Sequence, residues 1–445
     1  MTAQWITNVN VLNVRTGQYD LYNVKIDAGR FAALQTAPPS EDAGVFLDGK
    51  GYFMLPGLID SHCHIMPSYA PLFTAAGVTT VRNTAGSFFL LSSLLEAEET
   101  APSPRLYTTD RLIDGVPGLW GETSIGTLST EDEALAVREV RRQASLGARF
   151  IKVYGRLKKE VMAAVVREAQ ACGLDVSADI MVSTEVDARS AAGMGVKFLE
   201  HNSGMMQALF PDWRYLGDAH QYERVRQCDM PWAKIEALCE HLLSRNVVLV
   251  PTTVLFDQMA RKEDHWQPSR VEDSCFASFQ EQWHQTASHV EPSKYQLITE
   301  YTKAFTETYV RLGGTILAGT DAPIVYIHPG YALHRELALL AESGLSPLAA
   351  LQSATIVPAQ VLGETEIGAI EVGKKADFIL LREDPLENIT AIDTIEKVAK
   401  SGKLYDPQEL QEVAKAKENQ VTEAWYHERI QEFEAYMKAY EQSCE

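Results

Sequence analysis

The sequence predicts an α/β protein built on a (β/α)8 TIM barrel, with a small β-sandwich domain formed from both termini and a C-terminal helical extension. Three observations predict this fold class. Short β-rich segments alternate with amphipathic stretches between residues 57 and 360, as in repeated βα units around a parallel sheet. Alternating polar and apolar residues on either side of this region indicate antiparallel strands, and the last forty residues have a helical repeat of apolar side chains.

Eight β-rich segments account for the barrel. We expect strands at 57–65, 77–83, 105–113, 148–155, 174–180, 196–202, 246–255 and 314–322. Between most of them lie amphipathic segments such as 159–173, where apolar residues recur at helical spacing and Gly173 is placed to end the helix. Eight such units with right-handed crossovers close into a barrel.

The regions outside the barrel predict two further parts. Residues 1–56 and 361–405 contain short strands with Gly and Asp turns, and we expect them to pair into one small β domain around the barrel at 57–360. Residues 406–445 form a helical tail with one apolar, aromatic-rich stripe, expected to pack on the barrel or on a second subunit. The stripe contains Val421, Trp425, Tyr426, Ile430, Phe433, Met437 and Tyr440.

Composition restricts the class of partner. The 40 basic and 60 acidic residues give a formal net charge of -20, which repels phosphate backbones and anionic bilayers. No apolar run approaches the roughly 18 to 20 residues of a membrane span, and the first residues lack the features of a secretory signal. The 6 cysteines, Cys444 among them, show no CxxC pairing and are expected to stay reduced. The sequence therefore predicts a cytoplasmic protein that acts on a small molecule, without nucleic-acid or membrane partners, and it leaves homo-oligomerisation open.

The candidate site residues lie at the carboxyl ends of the predicted strands, where the active sites of such barrels are found. These residues are His62 and His64 on strand one, Lys152 on strand four, Asp179 on strand five, Glu200 and His201 on strand six, and Asp321 on strand eight. Imidazoles and carboxylates that converge on one mouth form a set of ligands suited to zinc and similar divalent ions.

Each of these residues also has a purely structural interpretation. A single HxH pair is weak evidence, Lys152 could extend its amine to solvent, and His201 could be a hydrogen-bonded core histidine. The coincidence favours a metal site, because several otherwise apolar strands would each bury a polar group that is costly to leave unpaired.

Six motifs together resemble the successive signatures of the metal-dependent amidohydrolase superfamily. They are "LPGLIDSHCHI", "GVTTVRN", "IKVYG", "FLEHN", "AGTDA" and "IGAIEVGKKADFILL", which extend over most of the chain to about residue 400 and exclude the helical tail. The most similar branch is the imidazolonepropionase-like one, which includes Xaa-Pro dipeptidases. The resemblance implies a hydrolase that acts on carbon–nitrogen bonds through metal-activated water.

The resemblance also implies roles for individual residues. His62, His64 and Asp321 would bind one metal ion, His201 would bind a second, and Lys152 would become N-carboxylated and bridge the two. Asp321 would also be catalytic, moving a proton from the attacking water to the leaving nitrogen. One or two divalent ions are implied, with zinc favoured and manganese or iron as alternatives.

Strand five departs from the family pattern. Members of the superfamily carry a histidine there, whereas this chain reads "ADIMV" and places Asp179 at the ligand position. Three interpretations follow: Asp179 replaces the imidazole as an oxygen ligand, the second metal is weak or absent, or the catalytic site has decayed and the barrel binds a small molecule or a partner. The retention of the other candidate ligands favours the first.

The substrate is less constrained than the metal site. Tyr154, Arg156 and Arg82 are candidates to contact a substrate carbonyl or carboxylate, although each also suits a structural hydrogen bond. The segment 256–312 is expected to cover the mouth of the barrel. We expect hydrolysis of an amide or related C–N bond in a small carboxylate-bearing substrate, either a dipeptide or an N-acyl amino acid. The alternatives are hydrolysis of a cyclic amide, as in imidazolonepropionase, and deamination.

Overall fold

The structure, a computed structural model, describes residues 4–40, 44–418 and 421–443. Within these ranges Cys63, Cys172, Cys228, Cys239 and Cys275 are free thiols, whereas Cys444 lies outside the described residues. In the same part of the chain, no helix combines the length and the apolar character that a bilayer crossing needs.

The chain begins with five strands that precede the barrel. They are β1 (Gln4–Asn13), β2 (Gln18–Asp27), β3 (Arg30–Gln35), β4 (Val45–Asp48) and β5 (Phe53–Pro56). The barrel region then contributes ten short strands, β6 (Leu58–Cys63), β7 (Val78–Asn83), β8 (Arg105–Thr108), β9 (Leu112–Asp114), β10 (Thr127–Ser129), β11 (Ile151–Tyr154), β12 (Val176–Asp179), β13 (Phe198–Glu200), β14 (Val248–Val250) and β15 (Thr315–Ile316). Three strands follow the barrel, β16 (Phe378–Leu381), β17 (Ile395–Lys400) and β18 (Lys403–Tyr405).

The barrel strands are parallel and form a closed ring. One run has the order β6-β7-β8, and a second has the order β10-β9-β11-β12-β13-β14-β15. The two runs meet where the Arg149 amide donates to the Thr108 carbonyl at 3.0 Å and where the Ser61 amide donates to the Ala318 carbonyl at 2.9 Å. The eight-stranded barrel predicted from the sequence is therefore confirmed, with β8 and β9 together occupying the third position.

The third and eighth strands differ from their predicted extents. The segment predicted at 105–113 is interrupted between β8 and β9. At the break, Asp110 forms an ion pair with Arg142, and Arg111 forms one with Glu139. The eighth strand ends at Ile316 and not near residue 322, although the chain continues beside β6.

Helices cover the barrel and fill its connections. They are α1 (Ala70–Ala75), α2 (Ser92–Leu95), α3 (Glu133–Ser145), α4 (Lys159–Ala171), α5 (Ala188–Met194), α6 (Met205–Leu209), α7 (Ala219–Arg226), α8 (Trp232–Ser244), α9 (Thr253–Arg261), α10 (Ala277–Ala287), α11 (Pro292–Arg311), α12 (Ala332–Glu342), α13 (Pro347–Ser353), α14 (Ile356–Val361), α15 (Pro407–Glu418) and α16 (Glu423–Ser443). Local sequence explains their ends: Asp132 accepts hydrogen bonds from the first amides of α3, and Gly173 follows α4 with a φ of 72°.

The strands of both termini join in one sheet. Its order is β18-β17-β16-β5-β1-β2-β3, with β4 paired to β1, and the antiparallel β16–β5 pair connects the C-terminal strands to the N-terminal ones. The apolar faces enclose a core of their own that contains Ile6, Val24, Ile26, Phe31, Met54, Phe378 and Leu380. This sheet agrees with the small β domain expected from both termini.

Two additions pack on the barrel. Helix α10 lies on the loops that follow β6 and β15: Phe279 packs edge-on against Tyr69 at 5.2 Å, and the Trp283 indole donates to the Pro323 carbonyl at 2.8 Å. The C-terminal helix α16 packs Phe433 against Phe89, with ring centroids 5.7 Å apart. Of the apolar stripe, Phe433 is the residue that this contact buries on the barrel, whereas Tyr426 stays 40% exposed.

Candidate metal centre

The side chains of His62, His64 and Asp321 meet at the carboxyl ends of β6 and the eighth strand segment. His62 lies on β6 and His64 just beyond its end, and their Nε2 atoms lie 3.1 Å and 2.9 Å from the same oxygen, Oδ1 of Asp321. Gly319 permits this approach, because a Cβ at that position would lie 2.7 Å from the Cβ of His62. The structure thus brings together the three residues expected to bind the first ion.

His201 completes the centre from the next side of the barrel. It follows β13 with a φ of 60°, and its ring centroid lies 4.5 Å from that of His62. One potential ligand atom from each of His62, His201 and Asp321 lies within 4.8 Å of the others, and all three residues are buried. A single small cation could contact all three.

Asp179 stands at the end of β12, on the same rim. Its Oδ2 lies 3.7 Å from Nε2 of His201, while its Oδ1 accepts a hydrogen bond from the Met181 amide at 3.0 Å. Burial raises the pKa of the Asp179 carboxyl to about 6. The carboxylate therefore faces the site from the position where a histidine was expected by resemblance.

Lys152 is enclosed within the barrel. Its side chain has no solvent exposure, and its Nζ lies 5.0 Å from the ring centroid of Tyr154. Among the described residues, Nζ has no hydrogen-bond partner. Burial lowers the pKa of the Lys152 amine, although the carboxylates of Glu200 and Asp179 act in the opposite direction. A neutral amine is the form that can react with carbon dioxide.

Hydrogen bonds fix the protonation of the two buried histidine rings. Nδ1 of His62 lies 2.6 Å from Oε2 of Glu200, a carboxylate that can only accept, so Nδ1 carries the proton. Nδ1 of His201 lies 2.6 Å from Oγ1 of Thr252, whose own proton is donated to the Pro251 carbonyl. Both rings therefore carry a proton on Nδ1, and the Nε2 atom of each faces the centre.

These observations test whether a divalent ion fits. Within the described part of the chain, Nε2 of His62 has no hydrogen-bond partner although it is fully buried, and it lies beside a carboxylate oxygen that also cannot donate. Two facing lone pairs repel each other unless a proton or a cation lies between them. With two lone pairs of imidazole and the carboxylates of Asp321 and Asp179, the donor set suits zinc, manganese or iron.

The charge of Asp321 is held by its neighbours. Burial would raise its pKa, but the imidazole of His201 and the contacts of His62 and His64 lower the pKa well below the usual range of a carboxyl. Asp321 is consequently anionic at neutral pH. An anionic carboxylate at this position can bind a cation or accept a proton.

Two residues below the centre support its histidines: Glu200, a strand-end candidate for which the sequence indicated no specific contact, and Thr252, which the sequence did not single out. Glu200 and Thr252 hold the distal nitrogens of His62 and His201, and both are fully buried. Glu200 directly precedes His201, and the only sequence signal was a carboxylate inside an apolar strand. Ser177 also donates to Oε1 of Glu200 at 2.5 Å.

The expected contact of Arg82 with a substrate is not what the structure shows. Arg82 is fully buried beneath the centre, where it donates to Glu200 at 2.9 Å. Its guanidinium carbon lies 4.3 Å and 4.2 Å from the rings of Phe150 and Phe198. Strand β7 directs the Arg82 side chain into the barrel interior. The sequence shows only that Arg82 lies near a strand end, and it does not show to which side the side chain points.

The other two candidate substrate contacts lie at the end of β11. Tyr154 is 2% exposed, and burial raises the pKa of its hydroxyl well above the usual value. Arg156 is partly exposed and donates to the Pro117 carbonyl at 2.7 Å, and its backbone amide donates to Asp114. Tyr154 ends β11 beside Lys152, and Arg156 follows two residues later.

Comparisons with known proteins agree with this fold and identify a family. The sequence profile of the Amidohydrolase family matches residues 53–405. A solved Xaa-Pro dipeptidase with bound methionine in its active site superposes with a TM-score of 0.68 at 19% identity, covering 91% of this chain and 100% of that one. Bottromycin amidohydrolase superposes with a TM-score of 0.69 at 21% identity, covering 94% of this chain and 90% of that one.

Matches to curated proteins are shorter. Adenine deaminase 2 of Shouchella clausii (strain KSM-K16) is 39% identical over 84 residues, which are 17% of this chain and 15% of that enzyme. The adenine deaminase of Desulfatibacillum aliphaticivorans is 31% identical over 140 residues, which are 28% of this chain and 23% of that enzyme. The chain thus matches less than a quarter of the length of these curated relatives.

Proposed function

The chain belongs to the amidohydrolase family, and from this premise we propose that it is a hydrolase of carbon–nitrogen bonds. In this proposal it cleaves an amide bond in a small carboxylate-bearing substrate, a dipeptide or an N-acyl amino acid, with the help of divalent metal. One observation carries the proposal: Nε2 of His62 and Oδ1 of Asp321 face each other at 3.1 Å in a buried site, with His201 in the same cluster. A proton or a cation must lie between these two atoms, and the proposal assigns a cation because His201 offers a further nitrogen to the same cluster.

The residues divide into two sets of ligands. In our proposal His62, His64 and Asp321 hold one ion, and His201, Asp179 and N-carboxylated Lys152 hold the second. Zinc is the favoured metal, with manganese or iron as alternatives, because the set mixes imidazole nitrogens with carboxylate oxygens. A bound divalent ion supplies a Lewis acid for the substrate carbonyl and lowers the pKa of a bound water.

Asp321 moves the proton in this reaction. Its carboxylate is anionic at neutral pH, so it can accept a proton from the attacking water and pass it to the leaving nitrogen. His62 and His64 lie within 3.1 Å and 2.9 Å of Oδ1, so an ion that they shared with Asp321 would hold the carboxylate in place. We further propose that Arg156 binds the substrate carboxylate and that Tyr154 contacts the reacting carbonyl, since both lie on the rim at the end of β11.

A screen on metal-loaded protein tests the proposal. Protein produced with supplied zinc, manganese or iron and with bicarbonate is assayed against dipeptides and N-acyl amino acids, and its metal content is determined by elemental analysis. We expect turnover and at least one equivalent of metal, with both lost in His62→Ala. Metal-loaded protein without turnover on any amide would contradict the proposed substrate class.

Deamination or cyclic-amide hydrolysis is the second candidate function. The observation that favours it is the 39% identity to an adenine deaminase over 84 residues. Including adenine and cyclic amides such as imidazolones in the same screen separates the two, since deamination releases ammonia. Protein that holds less than half an equivalent of any transition metal would instead favour a barrel that binds a small molecule or a partner without turnover.

A further inference from the structure

The buried pair of Arg82 and Glu200 lies directly beneath the first histidine of the centre. Oε2 of Glu200 is 2.6 Å from Nδ1 of His62, and Oε1 accepts hydrogen bonds from Arg82 at 2.9 Å and from Ser177 at 2.5 Å. Glu200 and Arg82 have no solvent-exposed surface. The carboxylate is therefore oriented by two donors on one oxygen and presents the other oxygen to the imidazole.

Arg82 holds His62 in a second way. The same Nη1 that bonds Glu200 also donates to the Ser61 carbonyl at 3.0 Å, one residue before His62. The rings of Phe150 and Phe198 pack against the guanidinium, 4.3 Å and 4.2 Å from its central carbon, and take the place of solvent around the charge. Arg82 thus connects the backbone that precedes His62 with the carboxylate that orients its ring.

We propose that Arg82 and Glu200 are positioning residues that fix the ring orientation and the Nδ1–H tautomer of His62, so that its Nε2 lone pair is available to a divalent cation. This inference rests on the metal site of the proposed function. It assigns Arg82 a role beneath the centre, and neither residue touches the substrate.

The physical argument depends on what Glu200 contacts. A carboxylate that accepts the distal N–H of a ligand histidine raises the basicity of the ligand nitrogen and prevents rotation of the ring, and loss of such a partner weakens metal binding by about 10- to 100-fold. An unpaired carboxylate in this buried position would be unfavourable, and Arg82 and Ser177 remove that penalty. A purely structural pair would stabilise the fold and leave cation affinity unchanged.

The protein contains a matched control for the purely structural role. Arg142 is also fully buried and pairs with Glu139 and Asp110, on α3 and on the chain between β8 and β9. None of these three residues contacts the metal centre. Arg142→Met and Glu139→Gln therefore disturb a buried ion pair of the same kind without touching His62.

The test measures Co²⁺ binding, through visible absorption and competition with a chelator, on the full chain stripped of metal. We expect Glu200→Gln and Arg82→Met to weaken Co²⁺ binding by about 10- to 100-fold, Arg82→Lys to give an intermediate loss, and the two control variants to stay within about threefold of the unaltered protein. If Glu200→Gln fails to fold, Ser177→Ala decides instead, with a loss above about threefold expected.

The outcomes separate this inference from the proposed function. Folded Glu200→Gln that binds Co²⁺ as tightly as the unaltered protein, or control variants that lose as much affinity, would overturn the positioning role alone. An unaltered protein that binds no divalent cation would overturn both, and cation binding without amide hydrolysis would contradict the proposed function and leave the positioning result valid.

Discussion

Nε2 of His201 lies 3.7 Å from Oδ2 of Asp179, on adjacent strand ends of the barrel. Two ligands each about 2.1 Å from a tetrahedral ion lie about 3.4 Å apart, so this separation is close to that of two ligands on one metal. It is too long for a direct hydrogen bond. The relationship supports our proposal that Asp179 replaces the histidine expected on strand five.

Replacement of Asp179 tests this position. We expect Asp179→Ala to reduce the bound metal from about two equivalents to about one, because the second ion loses an anionic ligand, and Asp179→His to retain about two. Elemental analysis after gel filtration measures the ratio. Asp175→Asn, an exposed acid just before β12, is the matched control. Unchanged metal content in Asp179→Ala would assign Asp179 a supporting role.

Lys152 gives a second prediction. Nζ is buried beside Tyr154, and this burial lowers the pKa of the amine more than the nearby carboxylates of Glu200 and Asp179 raise it. An uncharged or carboxylated nitrogen is therefore favoured over an ammonium. We expect Lys152→Met to lose one metal equivalent and to lower kcat by on the order of 100-fold or more. The exposed Lys159→Met should retain both.

The state of the Lys152 nitrogen can be observed directly. Protein exchanged with ¹³C-bicarbonate should show a carbamate carbon signal that is absent from Lys152→Met and present in Lys159→Met. A spectrum without this signal in metal-loaded, active protein would contradict carboxylation of Lys152 and favour a centre with one ion.

Metal removal should lower thermal stability. The carboxylates of Asp321 and Asp179 are both buried in the metal centre, where they repel each other. A bound cation would offset this repulsion. A ligand present at 100 times its dissociation constant stabilises by about 2.7 kcal/mol, which for a chain of this size raises Tm by about 3 °C. Calorimetry with and without a chelator measures the shift, and His62→Ala should show a much smaller one.

The architecture could be predicted from the sequence because each strand and helix of the barrel has its own local pattern of apolar residues. Apolar strands alternate with amphipathic helices, and the ends of parallel strands meet at one rim, so His62 and Asp321 could be placed together although they are far apart in the chain. The break between β8 and β9 could not be predicted, since it depends on ion pairs of Asp110 and Arg111 with α3.

The residues that orient the potential ligands were harder to predict than the ligands themselves. Ligand candidates stand out as polar residues at strand ends, whereas the role of Arg82 depends on which face of β7 it occupies and on the rings of Phe150 and Phe198. Glu200 and His201 are neighbours in sequence, yet they contact different sides of the centre because His201 has a positive φ. Such relationships arise from tertiary packing.

Because His328 is buried and its pKa is lowered, we expect the free energy of unfolding to fall in acid. Its ring lies 4.6 Å from that of Phe276 and 5.2 Å from that of Trp283, and burial, followed by the nearby His265, lowers its pKa to about 3. Because the folded pKa lies below the ordinary 6.5, the unfolded chain binds the proton first as pH falls. The free energy of unfolding contributed by His328 is therefore fully present above about pH 6.5 and decreases toward pH 3 by up to about 1.4 kcal/mol per pH unit.

Denaturant unfolding at pH 7, 6 and 5 measures this slope. We expect His328→Leu, which has no titrating group, to show a shallower loss than the unaltered protein, and the exposed His220→Gln to show the same loss. Equal slopes for His328→Leu and the unaltered protein would contradict the prediction. The difference between the two proteins isolates His328 from other buried groups such as His201.

Phe433 tests whether the C-terminal helix is an integral part of the fold, since α16 lies beyond the region matched by the family profile. Its side chain is 7% exposed, packs on Phe89 and lies 5.4 Å from the guanidinium carbon of Arg111. We expect Phe433→Ala to reduce the free energy of unfolding by about 3 kcal/mol and to speed amide hydrogen exchange throughout α16. Tyr426→Ala, on the same helix but 40% exposed, should change stability by less than about 0.5 kcal/mol. If both variants exchange and unfold like the unaltered protein, α16 contributes nothing to the stability of the barrel.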